Sequence, residues 1–123
     1  MIPIALIIPI YYEENNVIPL LNKISTSIKV PIKAYFIYDE EKDPTIKKIS
    51  DNKDIFNFEI VLIKNQYGKG ALNAIKTGLH NFKEEACVVI MADGSDDVDS
   101  INNMYSLFCQ GFHIKLNRRI KAI

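Results

Sequence analysis

Short apolar runs alternate along this chain with stretches whose apolar residues recur at helical spacing. Four runs stand out: Ile4-Ala5-Leu6-Ile7-Ile8-Pro9, Ala34-Tyr35-Phe36-Ile37-Tyr38, Ile60-Val61-Leu62-Ile63 and Cys87-Val88-Val89-Ile90-Met91. Runs of this length without polar alternation are what strands covered on both faces look like. Between them, Val17, Leu21, Ile24 and Ile28 fall on one helical face behind Asn15 and Asn16 as candidate caps, with Pro19 early enough to be tolerated. Asp43-Pro44-Thr45 has the form of a cap followed by proline and predicts a short second helix through Ile46 and Ile49, ended by the polar break at residues 50–54. A third helix is predicted from Gly70, with Ala71, Ile75, Leu79 and Phe82 on one face. A fourth runs from Asp99 to Gly111, with Ile101, Met104, Tyr105 and Phe108 inward.

Strand then helix, four times over at a pitch of roughly 25 to 30 residues, predicts βαβ units, a parallel sheet and an α/β fold. No linker, repeat or low-complexity tract interrupts the pattern, so residues 1–123 are expected to form a single domain. Each apolar run is followed directly by a polar signature. These are Tyr11-Tyr12-Glu13-Glu14, Asp39-Glu40-Glu41, Asn65-Gln66-Tyr67-Gly68-Lys69-Gly70 and Ala92-Asp93-Gly94-Ser95-Asp96-Asp97. In an open parallel sheet the carboxyl ends of the strands face one crevice where ligands bind, so the four signatures should converge on one site.

Composition narrows the classes. At 123 residues and 48% hydrophobic the chain can bury a core, roughly two thirds of its unfolded surface. Fifteen basic residues balance 15 acidic ones, and nothing in the overall charge recruits nucleic acid or an anionic membrane. The longest apolar stretch, residues 2–12, carries prolines at 3 and 9 and falls short of the ~20 residues of a membrane helix. It also lacks the basic leader and cleavage site of a signal peptide, so a cytoplasmic address is expected. Cys87 and Cys109 show no metal-ligand spacing and read as reduced, buried thiols.

The third signature is a glycine-rich turn opening a helix, and helix amino termini attract phosphate through free N–H groups and the dipole. It is not a P-loop, because the lysine lies between the two glycines. Nor is it a dinucleotide fingerprint, since it follows the third run and has Asn73 where the last glycine belongs. A tight turn serving only helix packing is the alternative. In the fourth signature, Asp93 at a strand tip suits a hard divalent cation, which takes one or two carboxylates and completes its shell with phosphate and water. Asp96, Asp97 and Asp99 read as the capped start of the fourth helix. Asp39 could accept hydrogen bonds from a base or ribose, with a solvated acidic turn as the alternative for it and its neighbours Glu40 and Glu41. Tyr11 could pack a base. Glu14 reads equally as an acidic helix entry. His80 and His113 show no partners in the pattern.

In order, Pro9-x-Tyr11-x-Glu13-Glu14-Asn15, a strand ending in Asp39, Asn65-x-x-Gly68-Lys69-Gly70-x-x-x-Ala74 and Val88-Val89-Ile90-Met91-Ala92-Asp93-Gly94-Ser95-Asp96-Asp97 resemble the family-two glycosyltransferases. The dolichol-phosphate mannosyltransferase-like members are the most similar in style, and the likeness runs from Ile4 to about Gly111. The resemblance implies a Rossmann-like GT-A three-layer sandwich and transfer of a sugar, with inversion, from a UDP- or GDP-sugar. It implies Mg²⁺ or Mn²⁺ as cofactor and a polyprenyl phosphate or a glycan as acceptor, with the protein cytoplasmic or peripheral to the membrane. By the same carry-over, Pro9, Tyr11 and Glu13 line the base pocket, Asp39 contacts the uracil or guanine, and Asn65, Gly68, Lys69 and Gly70 lie near the nucleotide. Ala92 and Asp93 close the donor site, Asp93 holding the metal on the diphosphate.

The chain departs from the family pattern in three places. Met91 stands where many members have the first acid of Asp-x-Asp. The second run ends in Asp39-Glu40-Glu41 rather than Asp-Asp-Gly-Ser. Members carry the acceptor pocket and catalytic base on a second half after this region, so the chain reads as a truncated, donor-binding half with no assigned catalytic base. Basic residues 115–121, with Arg119 loosely matching a family arginine, read as a solvated tail. The expected function is a glycosyltransferase donor domain. A non-catalytic nucleotide-sugar-binding remnant is the alternative. A sugar-phosphate nucleotidylyltransferase ranks below both, since residues 11–16 offer no basic glycine-rich loop.

Overall fold

A computed structural model describes residues 2–110 and the backbone of residues 121–122. The strands are β1 (Ile4–Ile10), β2 (Ile32–Tyr38), β3 (Glu59–Lys64), β4 (Cys87–Val89) and β5 (Lys121–Ala122); the helices are α1 (Val17–Ser27), α2 (Pro44–Asn52), α3 (Ala71–Asn81) and α4 (Ser100–Cys109). A 3₁₀ turn at Lys53–Ile55 prolongs α2 into the expected polar break. The sheet order is β3-β2-β1-β4-β5. β1 pairs in parallel with β2 and with β4, and β2 pairs in parallel with β3. The chain builds outward from β1 through β3 and then crosses back to place β4 on the other side of β1. That reversal opens a crevice at the carboxyl ends of β1 and β4.

β1 is buried at every position, which is why its sequence shows no alternation. Its two faces nevertheless serve different layers. Ile4, Leu6, Ile8 and Ile10 join Val17, Leu21 and Ile24 of α1, Ile49 of α2, and Ile101 and Tyr105 of α4 in one core. On the other face Ala5 and Ile7 join Tyr35, Ile37, Cys87 and Val89 against Ala74 of α3. Helices thus cover both faces of a mostly parallel sheet, as expected.

Several local expectations change. The fourth run forms only a short strand, although the Ile90 N–H still donates to the Ile7 carbonyl at 3.0 Å. On α3 the buried residues are Ala74, Thr77 and Gly78, while Ala71 is exposed and Ile75 and Leu79 are half-buried. Gly78 sets this face, because its missing Cβ lets the helix lie directly on Ile7 and Ile37. Neither Asn caps α1: Asn16 occupies the cap position, but its side chain donates instead to Glu13 Oε2 at 2.7 Å. Cys87 is buried as expected, whereas Cys109 is exposed on the last turn of α4. Lys121, read as the end of a solvated tail, and Ala122 after it pair antiparallel with β4. His113, Arg119 and the rest of the basic segment before Lys121 lie outside the described residues. Among the described residues no helix is long and apolar enough to cross a membrane.

Candidate functional site

A cavity of about 490 Å³ opens where the strand tips meet, within the ~300–1,000 Å³ usual for small-molecule sites. The β1 tip supplies Pro9, Ile10, Tyr11 and Glu13, and the β2 tip supplies Asp39. Lys69, Gly70, Ala71 and Ala74 come from the turn into α3, and Met91, Ala92 and Asp93 from the β4 tip. Of the residues expected at a donor site, only Asn65 and Gly68 do not line this cavity. Ile10, Ala71, Ala74 and Met91 line it without having been expected. Ala74 and Met91 occupy positions of the family motifs without having been assigned to the donor site, whereas only adjacency to Tyr11 and Gly70 could have pointed to Ile10 and Ala71.

Asn65 and Gly68 shape the wall from outside it. Asn65 Nδ2 donates to Asp39 Oδ1 at 2.9 Å and to the Gly70 carbonyl at 3.3 Å, and its Oδ1 accepts from Thr77 Oγ1 at 3.0 Å. Gly68 and Gly70 have φ of +97° and +116°, a region that favours glycine. Gly70 occupies the N-cap position of α3, and its N–H donates to Asp39 Oδ2 at 3.0 Å. The carboxylate therefore sits at a helix amino terminus, where the dipole favours it. One N–H that a phosphate would have sought is already satisfied by Asp39.

Beside Asp39, Glu40 is not the solvated acid expected from its sequence context. Its Oε1 accepts from the Tyr12 hydroxyl at 2.8 Å, and its Oε2 lies 3.2 Å from Lys69 Nζ. The Tyr12 hydroxyl, and then the Lys69 ammonium, hold the Glu40 carboxyl below the usual carboxylate range. The same bond to Glu40, helped by desolvation, pushes the Tyr12 phenol up to about 12. Glu41 is exposed and pairs with Lys64 at 3.5 Å. Tyr11 is 57% exposed, and its ring meets Tyr12 edge-on at 4.9 Å.

At the β4 tip Asp93 is exposed, and its Oδ1 accepts from the Ser95 N–H at 3.0 Å and the Ser95 hydroxyl at 2.6 Å. Gly94, at φ +79°, makes that reversal possible. Asp96 does not cap α4. It is buried, and its Oδ2 accepts the Met91 N–H at 2.5 Å, fixing the tip that carries Met91 and Asp93. Asp99 occupies the cap position without a side-chain cap bond, and Asp97 Oδ1 accepts from the Asp99 N–H at 3.2 Å. Among the described residues, no three His, Cys, Asp or Glu side chains group so as to hold a metal ion. Asp93 thus offers one carboxylate at the cavity, which fits a divalent cation shared with ligand phosphates rather than a cage made by protein alone.

His80 is not partnerless. Its Nδ1 hydrogen-bonds the Tyr67 hydroxyl, and Lys76 Nζ lies 4.5 Å above the Tyr67 ring. None of these three residues lines the cavity.

The family model described as Glycosyl transferase family 2 matches residues 5–121. No curated protein matches the chain. Three solved structures show the extent of the structural likeness. A mannosyltransferase from Pyrobaculum calidifontis, in complex with GDP-Man and Mn²⁺, is 19% identical with a TM-score of 0.71 over 83% of this chain and 31% of its own. TarS of S. aureus is 14% identical with a TM-score of 0.72 over 89% of this chain and 33% of its own. Glucosyl-3-phosphoglycerate synthase from Mycobacterium tuberculosis, in complex with Mn²⁺, UDP and glucosyl-3-phosphoglycerate, is 12% identical with a TM-score of 0.68 over 87% of this chain and 39% of its own. The chain thus spans 31 to 39% of the length of these structures.

Proposed function

This chain belongs to glycosyl transferase family 2, and on that premise we propose that its cavity binds a nucleoside diphosphate sugar and presents it for transfer. The observation that carries the reading is the convergence on one cavity of Tyr11, Asp39 and Asp93, from three strand tips, and Lys69, from the turn into α3. Tyr11 offers a ring face to the base. Asp39, already fixed by Asn65 and Gly70, accepts an N–H of uracil or guanine with its remaining lone pairs. Lys69 supplies a cation for the diphosphate, and Asp93 would hold a Mg²⁺ or Mn²⁺, which would supply charge neutralisation at the diphosphate. The Pyrobaculum and mycobacterial structures, one with GDP-Man and Mn²⁺ and the other with UDP and Mn²⁺, support this choice of ligand.

In this reading transfer proceeds with inversion. An acceptor oxygen, a phosphate oxygen of a polyprenyl phosphate or a hydroxyl of a glycan, attacks the anomeric carbon as its bond to the diphosphate breaks, and a hydroxyl acceptor gives its proton to a general base. That base is not assigned to a residue of this chain, which acts as the donor-binding part. The work is placed in the cytoplasm, and at the membrane periphery if the acceptor is a lipid phosphate.

Calorimetric titration with UDP and GDP, with and without Mn²⁺, tests the proposal. Micromolar binding that needs the metal and disappears in Asp93→Ala is the expected result, and a wild-type chain that binds neither nucleotide overturns it. Binding without release of nucleoside diphosphate from UDP- or GDP-sugars selects a binding module over an active transferase.

A further inference from the structure

Asp43 and Thr45 begin α2, and a helix start needs only one side-chain acceptor. Asp43 Oδ1 fills that need by accepting the Thr45 N–H at 2.9 Å. The pair then does more than capping requires. Asp43 Oδ2 accepts the Tyr12 N–H at 2.8 Å, and Thr45 Oγ1 accepts the Glu13 N–H at 2.8 Å while donating to Asp43 Oδ1 at 2.6 Å. Both side chains are buried, at 3% and 0% exposure. Their two outward bonds reach 31 and 32 residues back along the chain to the same loop, the one carrying Tyr11 and Glu13 into the cavity wall.

That loop needs holding. Tyr12 has a φ of +52°, a left-handed backbone that side-chain-bearing residues avoid. Asp43 grips this residue by its N–H, and the Tyr12 hydroxyl is held in turn by Glu40, the partner of Lys69 on the cavity wall. Neither Asp43 nor Thr45 touches the cavity.

We infer that Asp43 and Thr45 are positioning residues: through the N–H groups of Tyr12 and Glu13 they set the loop that presents Tyr11 and Glu13 to the ligand, so nucleotide affinity depends on two buried side chains outside the site. The inference rests on the nucleoside-diphosphate reading above. Losing a buried polar partner should weaken binding about tenfold.

The test titrates the full chain with UDP and GDP in the presence of Mn²⁺, well below the melting temperature. It compares wild type, Thr45→Val, which deletes the hydroxyl at constant shape, Thr45→Ser, which restores it, and Asp43→Ser, which keeps a cap acceptor but cannot also reach Tyr12. Amide exchange of Tyr12 and Glu13 is followed in the ligand-free proteins. Thr45→Val should bind about tenfold more weakly, with faster exchange at Glu13, and Thr45→Ser should recover both. Asp43→Ser should speed exchange at Tyr12 and weaken binding while its folded signal persists. A merely structural role would lower the melting temperature and leave affinity and loop exchange unchanged, and that result overturns the inference. So does a Thr45→Ser protein as weak as Thr45→Val. Failure of wild type itself to bind either nucleotide marks the functional reading, rather than the loop tether, as the faulty step, and removes the inference with it.

Discussion

Asp39 binds the main chain of Gly70: one carboxylate oxygen accepts the Gly70 N–H at 3.0 Å, while the other takes the Asn65 amide at 2.9 Å. The β2 tip is thereby fastened to the start of α3, and the acid builds the wall as well as lending its charge to it. Asp39→Asn removes the charge and turns one acceptor into a donor facing an N–H group. Nucleoside-diphosphate affinity should fall about tenfold or more, and stability by about 1 kcal/mol. Calorimetry and thermal melting measure the two separately. Unchanged affinity with lowered stability would reduce Asp39 to a structural part.

Gly70 and Gly78 should both resist alanine, for different reasons. At Gly70 an added Cβ meets nothing within 4 Å, but φ is +116°, so the penalty is conformational and about 1–2 kcal/mol. At Gly78 an added Cβ collides with the Ile7 side chain and stands 3.2 Å from Ile37 Cδ1, an overpacking worth about 1–3 kcal/mol. Urea unfolding of double mutants separates the causes. Ile7→Ala should offset part of the Gly78→Ala loss and add independently to Gly70→Ala. Equal coupling in both pairs would contradict this assignment.

What the sequence made legible were features that burial or spacing imposes locally. Strands such as β1 lose alternation because both faces are covered, and the tips follow the strands, so Tyr11, Asp39 and Asp93 could be expected at one crevice before any coordinates. Long-range polar bonds left no such trace. Asp43 reads as a cap because the cap bond is local, while its bond to Tyr12 spans 31 residues. Asp96 sits where acids usually cap a helix, yet the Met91 N–H claims it for the interior. Along α3 the spacing favoured Ala71, but the close approach at Gly78 rotates burial onto Ala74 and Thr77. Apolar wall residues such as Ile10 and Ala71 have no signature apart from their neighbours.

Tyr12 and Glu40 should titrate as partners. The Tyr12 phenol is raised to about 12 chiefly by its bond to the Glu40 carboxylate, so the neutral hydroxyl is the form that folding favours. Its contribution to stability is complete below the ordinary phenol value of 10.0 and is lost as pH rises through about 12. Glu40 runs the other way. Its carboxyl is lowered, so its contribution is present above the usual carboxylate range and disappears as acid protonates it in the folded state. Phenolate absorbance of wild type minus Tyr12→Phe should show a group titrating near 12, and in the Glu40→Gln background the same difference should move down toward 10.0. An unmoved difference would mean that Glu40 is not the cause.

The two thiols should react on separate clocks. Cys87 lies in β4 opposite Ala5 of β1, buried, and burial pushes its thiol up to about 11. Thiolate is the reactive form, so Cys87 is protected both by lack of access and by scarcity of the nucleophile. Cys109 is exposed at the end of α4 and open to reagent. A chromogenic disulfide reagent should therefore label Cys109 promptly in the native chain and Cys87 only at the rate at which β4 opens. Because β4 is part of the central sheet, that opening requires disrupting the core, and small amounts of urea should accelerate the second phase while leaving the first unchanged. Cys109→Ser should abolish the fast phase alone. Prompt labelling of Cys87 in native protein would mean that β4 is not held in the sheet, and the cavity wall at Met91, Ala92 and Asp93 would lose its foundation.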